Sequence, residues 1–206
     1  MARSSSSKQW LKEHFSDRFV KQAKEEGYRS RAVYKLMEIQ KRDQIIKPGM
    51  MIIDLGAAPG GWSQLISRWV GEKGKIIALD ILPMDPVAHV EFIQGDFREP
   101  EISDLLLKTA NHQKADVIIS DMAPNTSGMS SVDQPRAIYL AELSLALCEK
   151  MLKNNGCLLV KVFQGEGYDA FLKTLKTQFK TVTVRKPEAS RGRSRENYLV
   201  AKGFIK

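Results

Sequence analysis

The hydrophobic pattern changes character near residue 49. Before it, apolar residues recur at helical spacing. Residues about 9–26 read as one helix or two short ones: Phe19, Val20 and Ala23 form a stripe, Ser16 is placed to cap it and Gly27 to end it. Val33, Leu36 and Ile39–Gln40 mark the face of a further helix, opened by Ser30 and stopped by Pro48-Gly49. After it come short runs rich in Ile and Val: Met50–Leu55, Lys75–Asp80, Val90–Ile93, Asp116–Asp121 and Cys157–Phe163. Most lack polar alternation, as expected of parallel strands covered on both faces. Helical patterns separate them at Gly61–Val70, Glu99–Thr109 and Asp133–Leu152, the last with Ile138, Ala141, Leu145, Cys148 and Leu152 on one stripe. A helix over about Tyr168–Phe179 precedes two final strands, Thr181–Arg185 and Asn197–Ala201. Alternating strand and helix predicts an α/β fold with right-handed crossovers. Residues 1–8, Ser-rich and basic, are predicted to be disordered. Residues 9–206 are predicted to form one domain whose helical extension spans about 9–47.

Charge adds a partner to this picture. The 206 residues carry 32 Lys and Arg against 24 Asp and Glu, a net charge of +8 that suits a polyanion, either nucleic acid or an anionic membrane surface. The longest apolar stretch, Ile138 to Cys148, contains Glu142 and is too short to span a bilayer. The N-terminus runs straight into polar sequence with no apolar signal segment, so a cytoplasmic protein is expected. The two cysteines, Cys148 and Cys157, form neither a C-x-x-C pair nor a Cys/His cluster, which argues against zinc; two buried free thiols are expected, although their number alone allows a disulfide. No long exposed apolar stripe is evident, and a monomer is expected.

The segment D-L-G-A-A-P-G-G-W, Asp54 to Trp62, follows a predicted strand and opens a predicted helix. An α/β sheet binds nucleotide-like ligands at such a turn. Gly56, Gly60 and Gly61 let the backbone approach a ligand where a Cβ would obstruct it. The spacing is G-x-x-x-G-G, which fits neither the dinucleotide fingerprint nor a nucleoside-triphosphate loop. S-adenosylmethionine has no phosphates to cradle; it offers a carboxylate, an amine, a sulfonium and an adenosine. Asp54 can order the loop or approach the amine. Asp80 is placed to accept from ribose hydroxyls and Asp96 from an adenine amine. Any one of these acids could be a solvated loop carboxylate, but three at successive strand ends are a stronger joint signal.

Lys161 lies inside the apolar run L-L-V-K-V-F. A buried lysine without a partner is expensive. It is either paired with a carboxylate at a sheet edge or converges with Asp121, also at a strand end, beside the cofactor. Methylation of a ribose hydroxyl needs a base and an in-line geometry. A lysine serves as base only when neutral. Desolvation and positive neighbours favour that form and carboxylates oppose it, so Lys161 as base and Lys161 as charged stabiliser both stay open.

D-L-G-A-A-P-G-G-W-S-Q, I-L-P-M-D-P, Q-G-D-F, S-D-M-A-P-N, V-K-V-F-Q-G-E-G and R-S-R-E-N-Y, running in order from about Trp10 to Ala201, resemble the FtsJ-type ribosomal RNA methyltransferases. The resemblance implies a Rossmann-like S-adenosylmethionine-dependent methyltransferase fold with a seven-stranded mixed sheet flanked by helices. It implies a catalytic set at Lys35, Asp121, Lys161 and Glu196, with cofactor contacts at Gly60, Trp62, Asp80, Asp96 and Asp121. It also implies methylation of a uridine ribose 2′-hydroxyl in large-subunit ribosomal RNA, within the assembled subunit. Met122 and Ala123 stand where amine-directed methyltransferases commonly carry [ND]-P-P-[YF]. Basic residues cluster at Lys8, Lys12, Arg18, Lys21 and Lys24, at Arg29 and Arg31, and at Arg185, Lys186, Arg191, Arg193 and Arg195. Two of these clusters flank Lys35 and Glu196, which suggests a phosphate-binding rim. Tyr28 and Tyr34 are as fit to pack as to stack on bases. The rival readings are a non-catalytic RNA-binding ribosome assembly factor, a methyltransferase for a small molecule or protein and, distantly, a nicotinamide oxidoreductase.

Overall fold

The Ile- and Val-rich runs form the centre of one seven-stranded sheet. The strands are β1 (Met51–Leu55), β2 (Lys75–Asp80), β3 (Val90–Gln94), β4 (Ala115–Ser120), β5 (Leu152–Phe163), β6 (Phe179–Arg185) and β7 (Glu196–Phe204). Their order across the sheet is β3-β2-β1-β4-β5-β7-β6. β1 to β5 are mutually parallel, while β7 runs antiparallel between β5 and β6. The chain leaves β1 toward β2 on one side and reaches β4 on the other, so the crevice at the carboxyl ends of β1 and β4 is the natural ligand position. This computed structural model describes residues 17–125, 127–191 and 194–205. The stretch 1–8, Lys12, the Ser16 cap and Arg193 lie outside the described residues.

Helices cover both faces. α1 (Arg18–Glu25) is capped by Asp17, whose carboxylate accepts from the Phe19 N–H at 2.9 Å. α2 (Val33–Asp43) starts later than the Ser30 signal suggested and runs past Gln40 to a left-handed Gln44. The reason is tertiary. Ser30 faces Gly61, where a Cβ would fall 2.5 Å from the Ser30 Oγ, so residues 29–32 lie against the glycine loop rather than in a helix. α3 (Gly61–Val70), α4 (Pro100–Thr109), α5 (Ser130–Met151) and α6 (Tyr168–Gln178) complete the set. β5 begins at Leu152, well before the expected Cys157. Leu152 pairs with Ala115, and an irregularity follows between Ala115 and Val117.

The period-2 alternation of β-strands sorts the core into two layers. Val117, Ile119, Cys157, Leu159, Tyr198 and Val200 face α2 and α3, packing on Val33, Leu36, Trp62 and Ile66. Ile118, Leu158, Val160, Val162, Leu199 and Ala201 face the other way, onto α5 and α6 residues such as Leu145, Cys148, Phe171 and Leu175. Cys148 and Cys157 are both buried and free. Burial pushes both thiols up, that of Cys157 to about 12. Among the described residues no helix is long and apolar enough to cross a membrane.

Asp43, at the end of α2, locks that helix to the far strands. Arg185 of β6 donates to both its carboxylate oxygens at 2.8 Å, and Lys202 of β7 donates to its carbonyl at 2.6 Å. The Asp43 side chain is 5% exposed. Removing one partner of such a pair strands a desolvated cation. Asp43→Ala is expected to lower stability by about 3 kcal/mol in urea unfolding.

Candidate active site

Two of the three acids expected around the cofactor, Asp80 and Asp96, line one cavity of about 520 Å³ together with Asp121, Gly56, Met122 and Arg98, while Asp54 is not among its lining residues. Asp80 is fixed there by its backbone surroundings. Its two oxygens accept from the Ala58 N–H at 2.8 Å and the Leu82 N–H at 2.9 Å. Asp96 is gripped by Arg98 through the side chain and accepts from the Arg98 N–H at 3.0 Å. The hydrogen bonds from Arg98 hold the Asp96 carboxyl below the usual range, against a smaller effect of desolvation. Asp121 is the third acid, just beyond β4.

The glycine loop forms the floor of this cavity. Gly56 has φ +72°, and a Cβ there would fall 2.6 Å from the Met122 Cγ. Gly60, at φ +100°, sits behind the loop beneath Arg29 and Met84. Trp62 does not present its ring to the cavity. The indole is buried, donates to the Ala32 carbonyl at 2.7 Å and packs 5.8 Å from the Tyr198 ring. An indole N–H in an apolar layer needs an acceptor, and the segment before α2 supplies it.

The two lysines and two acids expected to act together do meet. Lys161 Nζ lies 2.9 Å from Asp121 Oδ1 and also donates to the Asp121 carbonyl. Lys35 Nζ lies 2.6 Å from Glu196 Oε1. Sheet register explains the convergence. Lys161 is directly opposite Tyr198 and Phe163 opposite Glu196, so Lys161, Tyr198 and Glu196 share the face covered by α2, which carries Lys35. The same residues were open to a purely structural reading, and Lys161 is indeed paired with a carboxylate. The pair, however, lies at the carboxyl ends of central strands rather than at a sheet edge.

Tyr198 is the member that sequence reasoning missed. Fully buried, it donates to Asp121 Oδ1 at 2.6 Å, and Lys35 Nζ lies 5.6 Å from its ring centre. Burial drives its phenol well above the ordinary value, with Asp121 and Glu196 acting in the same sense. Burial alone would raise the Asp121 carboxyl. The charges of Lys161 and Lys35 and the hydrogen bonds from Tyr198 and Lys161 together outweigh it and hold the group below the usual range. Asp121 is therefore an anion that accepts only, and Tyr198 a permanent donor.

Residues 28–204 match the family described as FtsJ-like methyltransferase. The chain belongs to that family. A solved structure described as a ribosomal RNA methyltransferase of Plasmodium falciparum is 33% identical, with a TM-score of 0.78 over 86% of this chain and 99% of that one. An rRNA-methylase described for Clostridium thermocellum (14% identity, TM-score 0.58, 83% and 97% covered) has the same fold. So does Aeropyrum pernix fibrillarin, solved with S-adenosyl-L-methionine bound (18% identity, TM-score 0.57, 84% and 75% covered). The sheet is thus that of a Rossmann-like methyltransferase, and the cofactor is S-adenosylmethionine.

The methyltransferase's residues fit that cofactor. Asp54 is 1% exposed at the end of β1; Ser63 donates to its Oδ2 at 2.7 Å, while Oδ1 is buried without a partner among the described residues. An ammonium has the charge and the hydrogens that such an oxygen accepts. α3 starts at the loop with no side-chain cap, leaving N–H groups for a carboxylate. A second cavity, of about 510 Å³, is lined by Lys35 and Glu196 with Arg31, Arg191 and Ser194. The four-residue set connects the two cavities, since Asp121 lines the first and the Lys35–Glu196 pair the second.

Several cations of the expected rim turn out to be internal fasteners. Arg185 is held by Asp43. Arg31 pairs with Asp17 and donates to the Ala189 carbonyl. Arg29 donates to the carbonyls of Pro59 (3.2 Å), Asp85 and Pro86 (both 2.6 Å). Arg29 and Arg31 tie loops together and Arg185 ties β6 to α2, functions that net charge alone does not reveal. Tyr28 and Tyr34 pack edge to face, 6.2 Å between centres, and Tyr34 bonds Glu26 at 3.0 Å.

Burial pushes the Asp54 carboxyl up to about 7, opposed by the Ser63 hydroxyl and reinforced by Asp121 and Asp80. The free protein therefore keeps a proton on Asp54 that an ammonium ligand must displace below that pH. Affinity for S-adenosylhomocysteine, which carries the same ammonium, is expected to fall by about tenfold per unit as pH drops below 7. In Asp54→Asn calorimetric titrations should give weaker binding with that slope flattened.

Proposed function

We propose that this methyltransferase transfers a methyl group to the 2′-hydroxyl of a uridine ribose in 23S ribosomal RNA, within the assembled large subunit. The observation that carries the reading is the set Lys35, Asp121, Lys161 and Glu196 between a cavity for the cofactor and a second one lined by Arg31 and Arg191. A hydroxyl nucleophile must lose its proton during transfer, and this set supplies two amines and two carboxylates within ion-pair distance. An exocyclic amine would make no such demand. The Plasmodium falciparum relative, described as acting on ribosomal RNA, supports RNA as the substrate class.

S-adenosylmethionine supplies the methyl group when bound, with Asp54, Asp80 and Asp96 as its holding residues and Gly56 as the close approach. Asp121 holds the Lys161 amine at 2.9 Å and is itself held by Tyr198. Lys161 takes the hydroxyl proton or, if it stays charged, steadies the oxygen as charge develops. Glu196 fixes Lys35 near the Tyr198 ring and balances its charge. Lys161 can accept a proton only as the neutral amine, a form that the nearby Lys35 ammonium favours and Asp121 opposes.

Ribosomal large subunits from cells lacking this gene are expected to take label from S-adenosylmethionine into a linkage that resists alkali. Lys161→Ala should lower the rate at least about a hundredfold and leave cofactor binding intact. Label that is alkali-labile, or that persists in Lys161→Ala, would overturn the reading.

A further inference from the structure

Helix α5 opens with three polar side chains, two of which reach strand ends while the third fastens the loop that enters the helix. Asp133 accepts from the Ser127 N–H and hydroxyl, both at 2.8 Å, and from the Gly128 N–H at 3.0 Å, on the chain that follows Asp121. Gln134 Nε2 donates to the Phe163 carbonyl at 2.9 Å and the Glu166 carbonyl at 3.0 Å, on the chain just past Lys161. Ser130 Oγ accepts from Arg195 Nη2 at 3.1 Å, next to Glu196. The Arg195 carbonyl in turn accepts from the Gln164 N–H at 2.9 Å, closing the end of β5 onto the start of β7. Two of the four residues of the proposed catalytic set, Lys161 and Glu196, thus lie beside segments that this helical turn and the Gln164–Arg195 bond hold together.

Gln134 is the centre of this arrangement. Its amide lies flat against Gly165, whose φ is +147° and whose Cβ, if present, would fall 2.9 Å from the Gln134 Cδ. Both amide hydrogens are used on carbonyls to either side of that glycine. An amide is the side chain that offers two donors from one nitrogen at neutral charge. The isosteric carboxylate would instead face two carbonyl oxygens as an acceptor.

We propose that Gln134 is a positioning residue for methyl transfer, fixing the end of β5, and through it Lys161, against the start of β7 that carries Glu196. It acts through the backbone. A shift of about 1 Å in a reacting group costs up to a hundredfold in rate, so the requirement is on placement rather than on stability. Asp54, Asp80 and Asp96 stand at the ends of other strands, and Gln134 is not among the residues lining the first cavity, whose α5 wall is Arg136, Tyr139, Leu140 and Leu143.

The inference rests on the methyl-transfer reading for its kinetic arm and not for its structural one. Gln134→Ala and Gln134→Glu are expected to lower kcat on large subunits by about ten- to a hundredfold, with the Kd for S-adenosylhomocysteine within twofold of the parent. Gly165→Ala, which pushes on the amide from the other side, should do the same. Hydrogen exchange needs no RNA. In all three variants it should rise together at residues 163–166 and 195–196. An unchanged kcat, or a loss of kcat that tracks a loss of cofactor affinity and thermal stability, would overturn the proposal. So would a rise in exchange confined to 163–166. Should the parent protein leave RNA unlabelled, the methylation reading falls while the exchange measurement still decides whether Gln134 couples the two strand ends.

Discussion

An ammonium group in the apolar interior of a central strand is the constraint around which the site is arranged. Lys161 has Leu159 behind it and Phe163 ahead of it, on a strand flanked by β4 and β7. Its charge is tolerable there only because Asp121 stands at the end of the adjacent strand, within 2.9 Å. That carboxylate is in turn desolvated and needs more than one partner, which Tyr198 provides from the other neighbouring strand. The Tyr198 ring then becomes the surface near which Lys35 is held, and Lys35 draws in Glu196. Removing any one of the four charged members leaves its ion-pair partner without a counter-charge.

Two departures from a plain parallel α/β sheet make this possible. β7 runs against its neighbours, so its first residue, Glu196, lies at the end where β4 and β5 finish. The helical extension closes the same end from above. Its residues 29–35 serve two sides at once. Arg29, Ser30 and Ala32 contact the glycine loop, while Arg31 and Lys35 line the second cavity. One short stretch of chain therefore holds the cofactor loop and bounds the space where an acceptor would lie.

The central strands were legible because full burial on both faces leaves an unbroken apolar run, and the acids at their ends were legible because the runs stop there. Lys161 stood out as the one cation in the interior of such a run. Boundaries were less legible wherever tertiary contact overrides local preference. Ser30 has the side chain of a helix cap yet lies against Gly61, and β5 gains residues ahead of Cys157 by pairing with Ala115. Tyr198 was missed because a tyrosine in an apolar strand reads as core. The signal was its spacing from Glu196, since i and i+2 share a strand face. Arg29, Arg31 and Arg185 were counted as surface charge because composition does not distinguish a solvated cation from one that fastens two loops.

The position of β7 in the chain has a bearing on when the molecule can act. Met51 to Phe163 already contain the glycine loop, the three cavity-lining acids and one of the two lysines, and the N-terminal segment supplies the other. Glu196 and Tyr198 are synthesised after all of these. A nascent chain that lacks them can assemble most of a cofactor pocket but leaves Lys35 without its counter-ion and Asp121 without its phenol donor. Competence for chemistry thus waits for β7, so no translation product that stops short of that strand carries the assembled constellation.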